Sequence, residues 1–314
     1  MLVADMLLEQ VVRLYSDSSN KRSGHSGSFD AALWTQAVDL GLPLAMCPEA
    51  KGGFDLGWAG MFDVLAHSAA CGEPIPLGET LVANALACSV GSDPEAGPTF
   101  FGRPADAEED GAEPALPDSA RVLVADAKSV GLAPFTAALA DGVAQMRPDT
   151  GLLCQAGALL RVVQIAGSLQ GALELSVRYA QERSQFGRSL SKFQAVQHML
   201  AQLANEAVAT AAAARMACAR MDAGDGSLAI AIAKVRAGRA VDKGAMLAHQ
   251  IHGAMGVTLE YPLARLSRNM WRWSEEFGDQ RFWAVAVGKA ATGMSGAWAA
   301  VVSASDPVGG PGDE

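Results

Sequence analysis

The stretch Arg178–Ala204, RYAQERSQFGRSLSKFQAVQHMLAQLA, decides how the rest of the chain is read. Its first part closes a long helical run from Gly157, GALLRVVQIAGSLQGALELSVRYAQERSQ, and Phe186-Gly187 stops that run. After the turn, Phe193, Val196, Leu200 and Leu203 recur at three- and four-residue steps, the stripe of a helix with one apolar face. That helix continues into ATAAAARMACARM, whose small side chains allow close helix approach. A third helix is predicted over Leu228–His252 and a fourth over 282–303, FWAVAVGKAATGMSGAWAAVVS. Long antiparallel helices joined by short loops make a four-helix bundle.

Upstream the texture differs. Residues 1–92 read as shorter helices with turn punctuation: FDAALWTQAVDLGL ended at Gly41, WAGMFDVLAHSAACG, and LGETLVANALACSVG. Before them, Leu2, Met6, Leu8 and Val12 recur at helical spacing and predict a first core helix. Residues 93–150 form a much reduced β section. RVLVADA is its clearest strand and SVGLAPF a weaker one, behind a connection rich in Pro, Gly and acids. The bundle occupies 151–303, and 304–314, which contains DPVGGPGDE, reads as a disordered tail. The fold class is therefore mostly α.

Half of the 314 residues are hydrophobic and few are aromatic, the balance of a helical protein with a large core. No apolar run reaches the roughly 18 residues that a bilayer span needs, and the N-terminus lacks the basic region of a signal peptide. Five scattered cysteines without a CxxC pair suit buried thiols in a reducing cytoplasm. The net charge of -10 argues against nucleic acid. Much of that charge lies between Asp93 and Asp118, where eight acids accompany the single base Arg103.

Some constellations have both a structural and a chemical reading. Arg183 in RSQFG sits where a helix C-terminus favours a cation. With Phe186 and the glycine beside it, and Gln194 following, it also suits a forked grip on a pyrophosphate. In HQIHGAMGV, Gly253 and Gly256 suit a helix cap, or a close backbone approach to a ligand that Gln250 recognises. His249 and His252 form HxxH with no accompanying third ligand, so core or capping histidines are expected and no metal. GxSxG, Walker-type and GxGxxG patterns are absent.

Taken in order, RYAQERSQFGRSLSKFQAVQHMLAQLA, AHQIHGAMGVTLEYPLARLSRNM and a glycine-centred turn before a last helix resemble the acyl-CoA dehydrogenase family. LWTQAVDLGLPLAMCPEAKGGF resembles that family's first helical domain. The resemblance implies an N-terminal helical domain, a β-barrel and a C-terminal four-helix bundle. It implies FAD as cofactor, an acyl-CoA as substrate, and electron-transferring flavoprotein as acceptor. The implied chemistry is removal of an α-proton by a carboxylate with β-hydride transfer to flavin. Arg183, Phe186, Gln194, Gln250 and Gly253 would hold the ADP half of a neighbouring chain's FAD, and Arg161 would lie at the mouth of the acyl-CoA pocket.

Two departures qualify this. The family's flavin-side segment has no counterpart between Thr99 and Thr150. The two positions where the family stations its catalytic glutamate are here Phe277 and Leu160, so no catalytic residue is assigned. Glu276 is one residue away, about 100° round a helical turn. Glu275 and Glu276 read as surface acids near the last helix, with Asp279 as its cap. The combination resembles the short subunit of bacterial α2β2 dehydrogenases of bulky, steroid-type acyl-CoA thioesters, whose full-length partner supplies base and flavin-side wall. A self-sufficient enzyme using Glu276 and a non-catalytic acyl-CoA-binding or scaffold protein are the alternatives.

Overall fold

The computed structural model describes residues 3–21, 29–101, 119–125, 130–134 and 151–293. Residues 102–118 of the acidic stretch, 294–303 of the predicted fourth helix and the tail 304–314 lie outside these residues. The chain order is α1 (Val3–Lys21), α2 (Ala31–Asp39), α3 (Trp58–Ala70), α4 (Leu77–Ser89), β1 (Thr99–Phe100), β2 (Arg121–Ala125), β3 (Val130–Pro134), α5 (Leu152–Glu182), β4 (Ser184–Gln185), β5 (Arg188–Ser189), α6 (Gln194–Asp222), α7 (Ser227–His252), α8 (Pro262–Glu275) and α9 (Gln280–Gly293).

Helix α5 is the axis of the molecule. It packs against α3 on one side and α6, α7 and α8 on the others, and its residues from Leu153 to Leu169 are almost continuously buried. By length and composition it is apolar enough to cross a bilayer, but 89% of its most apolar window is covered by the other helices. A buried core helix meets the same hydropathy test as a span, so no membrane is needed to explain it. Close approach explains the glycines along it: a Cβ at Gly167 would stand 2.0 Å from Ala66 O of α3.

The N-terminal layer is tied to the bundle by charge as well as packing. Asp222, at the end of α6, accepts the N–H groups of Trp58 at 2.8 Å and Ala59 at 2.9 Å, satisfying the open first turn of α3. Arg215 pairs with Asp63 at 2.6 Å and lies over the Phe62 ring, 4.0 Å from its centroid.

Where β1 and β2 pair they run parallel, and β2 and β3 pair antiparallel with Leu123 opposite Leu132. β2 and β3 are the two predicted strands; β1 is an addition too short for an alternation signal. The buried face of α1 is Leu7, Val11, Leu14 and Tyr15, whereas Met6 and Val12 are exposed, so the predicted face is turned. The core selects the face that meets α3, with Tyr15 Oη hydrogen-bonded to Ser68 Oγ at 2.7 Å. Helix α8 is an addition to the predicted elements. Pro262 opens it, and Leu263, Leu266, Met270 and Trp273 form its buried stripe on α5 and α7. In the predicted α6 stripe, Leu203 is buried and Phe193, Val196 and Leu200 are half-buried.

Candidate functional site

Two places carry unusual chemistry, one facing out and one inside. The outer one is at the shared C-terminal end of α5 and α7. Arg183 ends α5 with its N–H donated to Tyr179 O at 2.9 Å, and its side chain is exposed. The β4–β5 hairpin follows. Its turn residues Phe186 (φ 53) and Gly187 (φ 79) are both left-handed, the pairing of a type I′ turn. Glycine adopts this freely, whereas for phenylalanine it is strained. The Phe186 side chain is 90% exposed and meets Phe193 edge-on at 6.3 Å between centroids. Ser189 Oγ donates to Ala180 O at 3.0 Å and Leu190 N to Arg183 O at 2.9 Å, holding the hairpin against the helix end.

Gln194, the first residue of α6, is exposed directly beyond the hairpin. Gln250 is exposed in the last turn of α7, and Gly253 ends that helix at φ 60, ψ −142, its N–H donated to His249 O. The two halves meet through rings: Tyr179 lies 4.6 Å from His252, and His252 lies 5.1 Å from Tyr261. Arg183, Phe186 and Gln194 thus share one end of the bundle with Gln250 and Gly253. His252 is buried with Nδ1 against Ala248 O at 2.8 Å, and His249 Nε2 meets Ser267 Oγ at 3.0 Å. No group of three metal-ligating side chains occurs among the described residues.

The inner place surrounds Arg161 in the middle of α5. Its side chain, which the resemblance sets at the mouth of an acyl-CoA pocket, is fully buried in this chain. Its Nε lies 2.5 Å from Glu276 Oε2, its Nη2 lies 2.5 Å from Glu79 Oε1, and its Nη1 donates to Gln164 Oε1 at 2.7 Å. Gln164 Nε2 in turn donates to Glu73 at 2.7 Å. Burial opposes the charge on Arg161, but Glu276, Glu79 and Glu73 outweigh it and raise its pKa. Glu73 is pushed up to about 7 by burial and by Glu79, against the attraction of Arg161.

Lys234 of α7 completes this interior. Its buried Nζ donates to Trp273 O at 3.1 Å, Ser274 O at 3.2 Å and Glu276 O at 2.7 Å. It therefore satisfies carbonyls that the end of α8 leaves open. Burial pulls its pKa down to about 7, against the charge of Glu276. The turn it holds places Phe277 at φ 55 with only 1% of its surface exposed. The ring lies on Gly157, where a Cβ would come within 2.5 Å of it, and edge-on to Phe101 at 5.9 Å. Trp283 Nε1 donates to Phe277 O at 3.0 Å. Leu160 is likewise wholly buried.

Glu276 is therefore not a surface acid. It is 5% exposed, whereas Glu275 is exposed as expected. Asp279 does cap α9, accepting Phe282 N at 2.8 Å. Sequence reasoning missed Glu73, Glu79, Gln164 and Lys234. Lys234 left a signal, since it occupies the core face of α7 with Ile230, Ala237 and Val241. Glu73 and Glu79 left none, because their partner lies over eighty residues away in the chain.

Residues 154–274 match the family model described as acyl-CoA dehydrogenase, C-terminal domain. Glutaryl-CoA dehydrogenase of Desulfococcus multivorans is 42% identical over 105 residues, 33% of this chain and 27% of that protein. Acyl-CoA dehydrogenase IpdE2 of Mycobacterium tuberculosis is 35% identical over 116 residues, 37% of this chain and 35% of that protein. These matches span about a third or less of the length of those relatives. Among solved structures, the ChsE4-ChsE5 complex from Mycobacterium tuberculosis superimposes with TM-score 0.72 at 17% identity, covering 94% of this chain and 98% of that one. The glutaryl-coenzyme A dehydrogenase glutaryl-CoA complex gives TM-score 0.72 at 20% identity, covering 95% and 97%. At these identities the likeness establishes the fold.

Proposed function

We propose, from the match of residues 154–274 to the acyl-CoA dehydrogenase C-terminal domain model and from the fold shared with solved members of that family, that this chain is the short subunit of a heteromeric, FAD-dependent acyl-CoA dehydrogenase. One contrast carries the reading. The positions matched to ADP-side flavin contacts face outward, while both positions matched to a catalytic glutamate, Phe277 and Leu160, are packed into the core.

The outer residues fit a dinucleotide's ADP half. Arg183 supplies a permanent charge and planar donors for a pyrophosphate, Gln194 and Gln250 supply amides, and the bare backbone at Gly253 admits close approach. Bound flavin would accept the hydride in α,β-dehydrogenation of the thioester. In this reading the present chain orients the ADP end, and a full-length partner supplies the base and the wall over the flavin ring. The structural likeness to the ChsE4-ChsE5 complex and to a variant of the Tcur3481-Tcur3483 steroid ACAD supports a heterotetramer acting on a bulky, steroid-type acyl group. One structural neighbour's name includes electron transferring flavoprotein, which supports that class of protein as acceptor.

The alternative, Glu276 as an autonomous base, is disfavoured by its pairing to Arg161 at 2.5 Å inside the core. A general base must reach the proton it takes within about 3 Å, directly or through one water. Co-expression with a full-length dehydrogenase tests the proposal. One FAD per pair of unlike chains, with turnover lost when the partner's glutamate is replaced, supports it. A flavin-loaded, active complex of this chain alone overturns it.

A further inference from the structure

We infer that His252 is a positioning residue that couples the β4–β5 hairpin to the Gly253 turn, so that the two move as one surface. The inference rests on the flavin-completing reading for its purpose, but its geometry stands independently. His252 is the last residue of α7, 2% exposed, and its ring lies between Tyr179 of α5 and Tyr261 at the start of α8. The interplanar angles, 32° and 57°, make these tilted ring contacts that resist sliding.

Each neighbour controls one half of the surface. Tyr179 provides the carbonyl that receives Arg183 N–H, four residues on, so its helical turn sets where the hairpin leaves α5. On the other side, a Cβ at Gly256 would meet His252 Cβ at 2.9 Å, so the turn 253–257 rests directly on this side chain. Thr258 N–H donates to Met255 O at 3.3 Å and Tyr261 N–H to Thr258 O at 3.1 Å, so the chain runs from that turn to Tyr261 through consecutive backbone hydrogen bonds. A displacement of the His252 ring therefore reaches both Arg183 and Gly253.

The ring is suited to this as a neutral group. Burial lowers the His252 pKa, the Ala248 and Leu175 carbonyls oppose that, and nearby His249 reinforces it. Arg178 and Glu182 lie on the Tyr261 side and bring opposite charges. A neutral imidazole adds no charge beside an anion-binding surface, which leaves that task to Arg183.

Amide hydrogen exchange on the full chain tests the coupling, with His252→Ala removing the ring and His252→Phe keeping a ring without nitrogens. Exchange at 184–190 and at 253–258 is expected to accelerate together at least tenfold in His252→Ala, and to return within threefold of the unsubstituted chain in His252→Phe. If His252→Ala does not fold, Tyr261→Leu removes one side of the stack and must raise exchange at the hairpin as well. Acceleration confined to 249–258, or equal acceleration in the Ala and Phe variants, overturns the inference. ADP, added as probe, should slow exchange at both segments in the unsubstituted chain. Absence of that protection counts against the flavin-completing reading, while the exchange pattern still decides the coupling.

Discussion

Arg161 Nε stands 2.5 Å from Glu276 Oε2, joining the middle of α5 to the residue that ends α8. The pair is buried and shared with Glu79, Gln164 and Glu73, so it connects the N-terminal helices, the bundle axis and the turn before α9. Charges taken so far from water are tolerated because each has a close partner. The turn at Glu276 is here a structural joint.

Removing one member of that joint is costly. Arg161→Met leaves Glu276 and Glu79 buried without their cation, and the expected loss is about 3–5 kcal/mol of unfolding free energy. Glu276→Gln keeps the volume and is expected to cost about 1–3 kcal/mol. Urea denaturation at pH 7 measures both. Losses below 0.5 kcal/mol in each would mean that the joint contributes nothing to the fold.

Phe277 is held by packing, and its replacement separates fold from chemistry. Phe277→Ala opens a cavity against Gly157 and Phe101, with an expected loss of about 3–5 kcal/mol. Phe277→Glu places a carboxylate where the resemblance expects the family's glutamate, but next to the Arg161 joint. It is expected to give no turnover without the partner, as measured with an artificial electron acceptor. Turnover by the isolated variant would contradict the division of labour proposed above.

The interior titrates in two opposed windows. Glu73 has its pKa raised from 4.5 to about 7, so the folded chain holds a proton that the unfolded chain has released, and stability falls as pH rises from 4.5 to 7. Lys234 has its pKa lowered from 10.5 to about 7, so the unfolded chain binds the extra proton, and this contribution rises between pH 7 and 10.5. Glu73→Gln is expected to flatten the lower window and to stabilise the chain above pH 7 by on the order of 1–3 kcal/mol. Thermal and urea unfolding at pH 5, 7 and 9 read this out, and an unchanged slope below pH 7 in Glu73→Gln rules it out.

At the outer site the expectation reverses, with large effects on cofactor and small ones on stability. Arg183→Ala is expected to weaken flavin retention in the two-chain complex by roughly tenfold or more, the loss of a charged hydrogen-bond partner. Phe186→Gly relieves a left-handed phenylalanine at an exposed turn, so the chain should not lose stability while flavin contact weakens. Flavin content after gel filtration, beside melting temperature, distinguishes the two effects. Unchanged flavin content in both variants would assign the hairpin a purely structural role.

What the chain's own letters settled was local in origin. Gly253 ends a helix as its sequence predicts, and β2 and β3 follow from RVLVADA and SVGLAPF, since turn chemistry and residue alternation act over a few neighbours; Phe186-Gly187, read as a helix stop, instead turns the β4–β5 hairpin, and α5 already ends at Glu182. Motif order fixed the bundle and placed Arg183, Phe186, Gln194, Gln250 and Gly253 on its outer end. Tertiary structure alone decided the fate of Glu276. Its neighbours in sequence suggested a helix-end surface acid, and only the approach of Arg161 from 115 residues away draws it inside. The same holds for Glu79, Glu73 and Lys234, whose burial depends on partners that no local pattern reveals. A charge enters a core only when a distant opposite charge or a set of open carbonyls meets it there, and that meeting is a property of the packed chain.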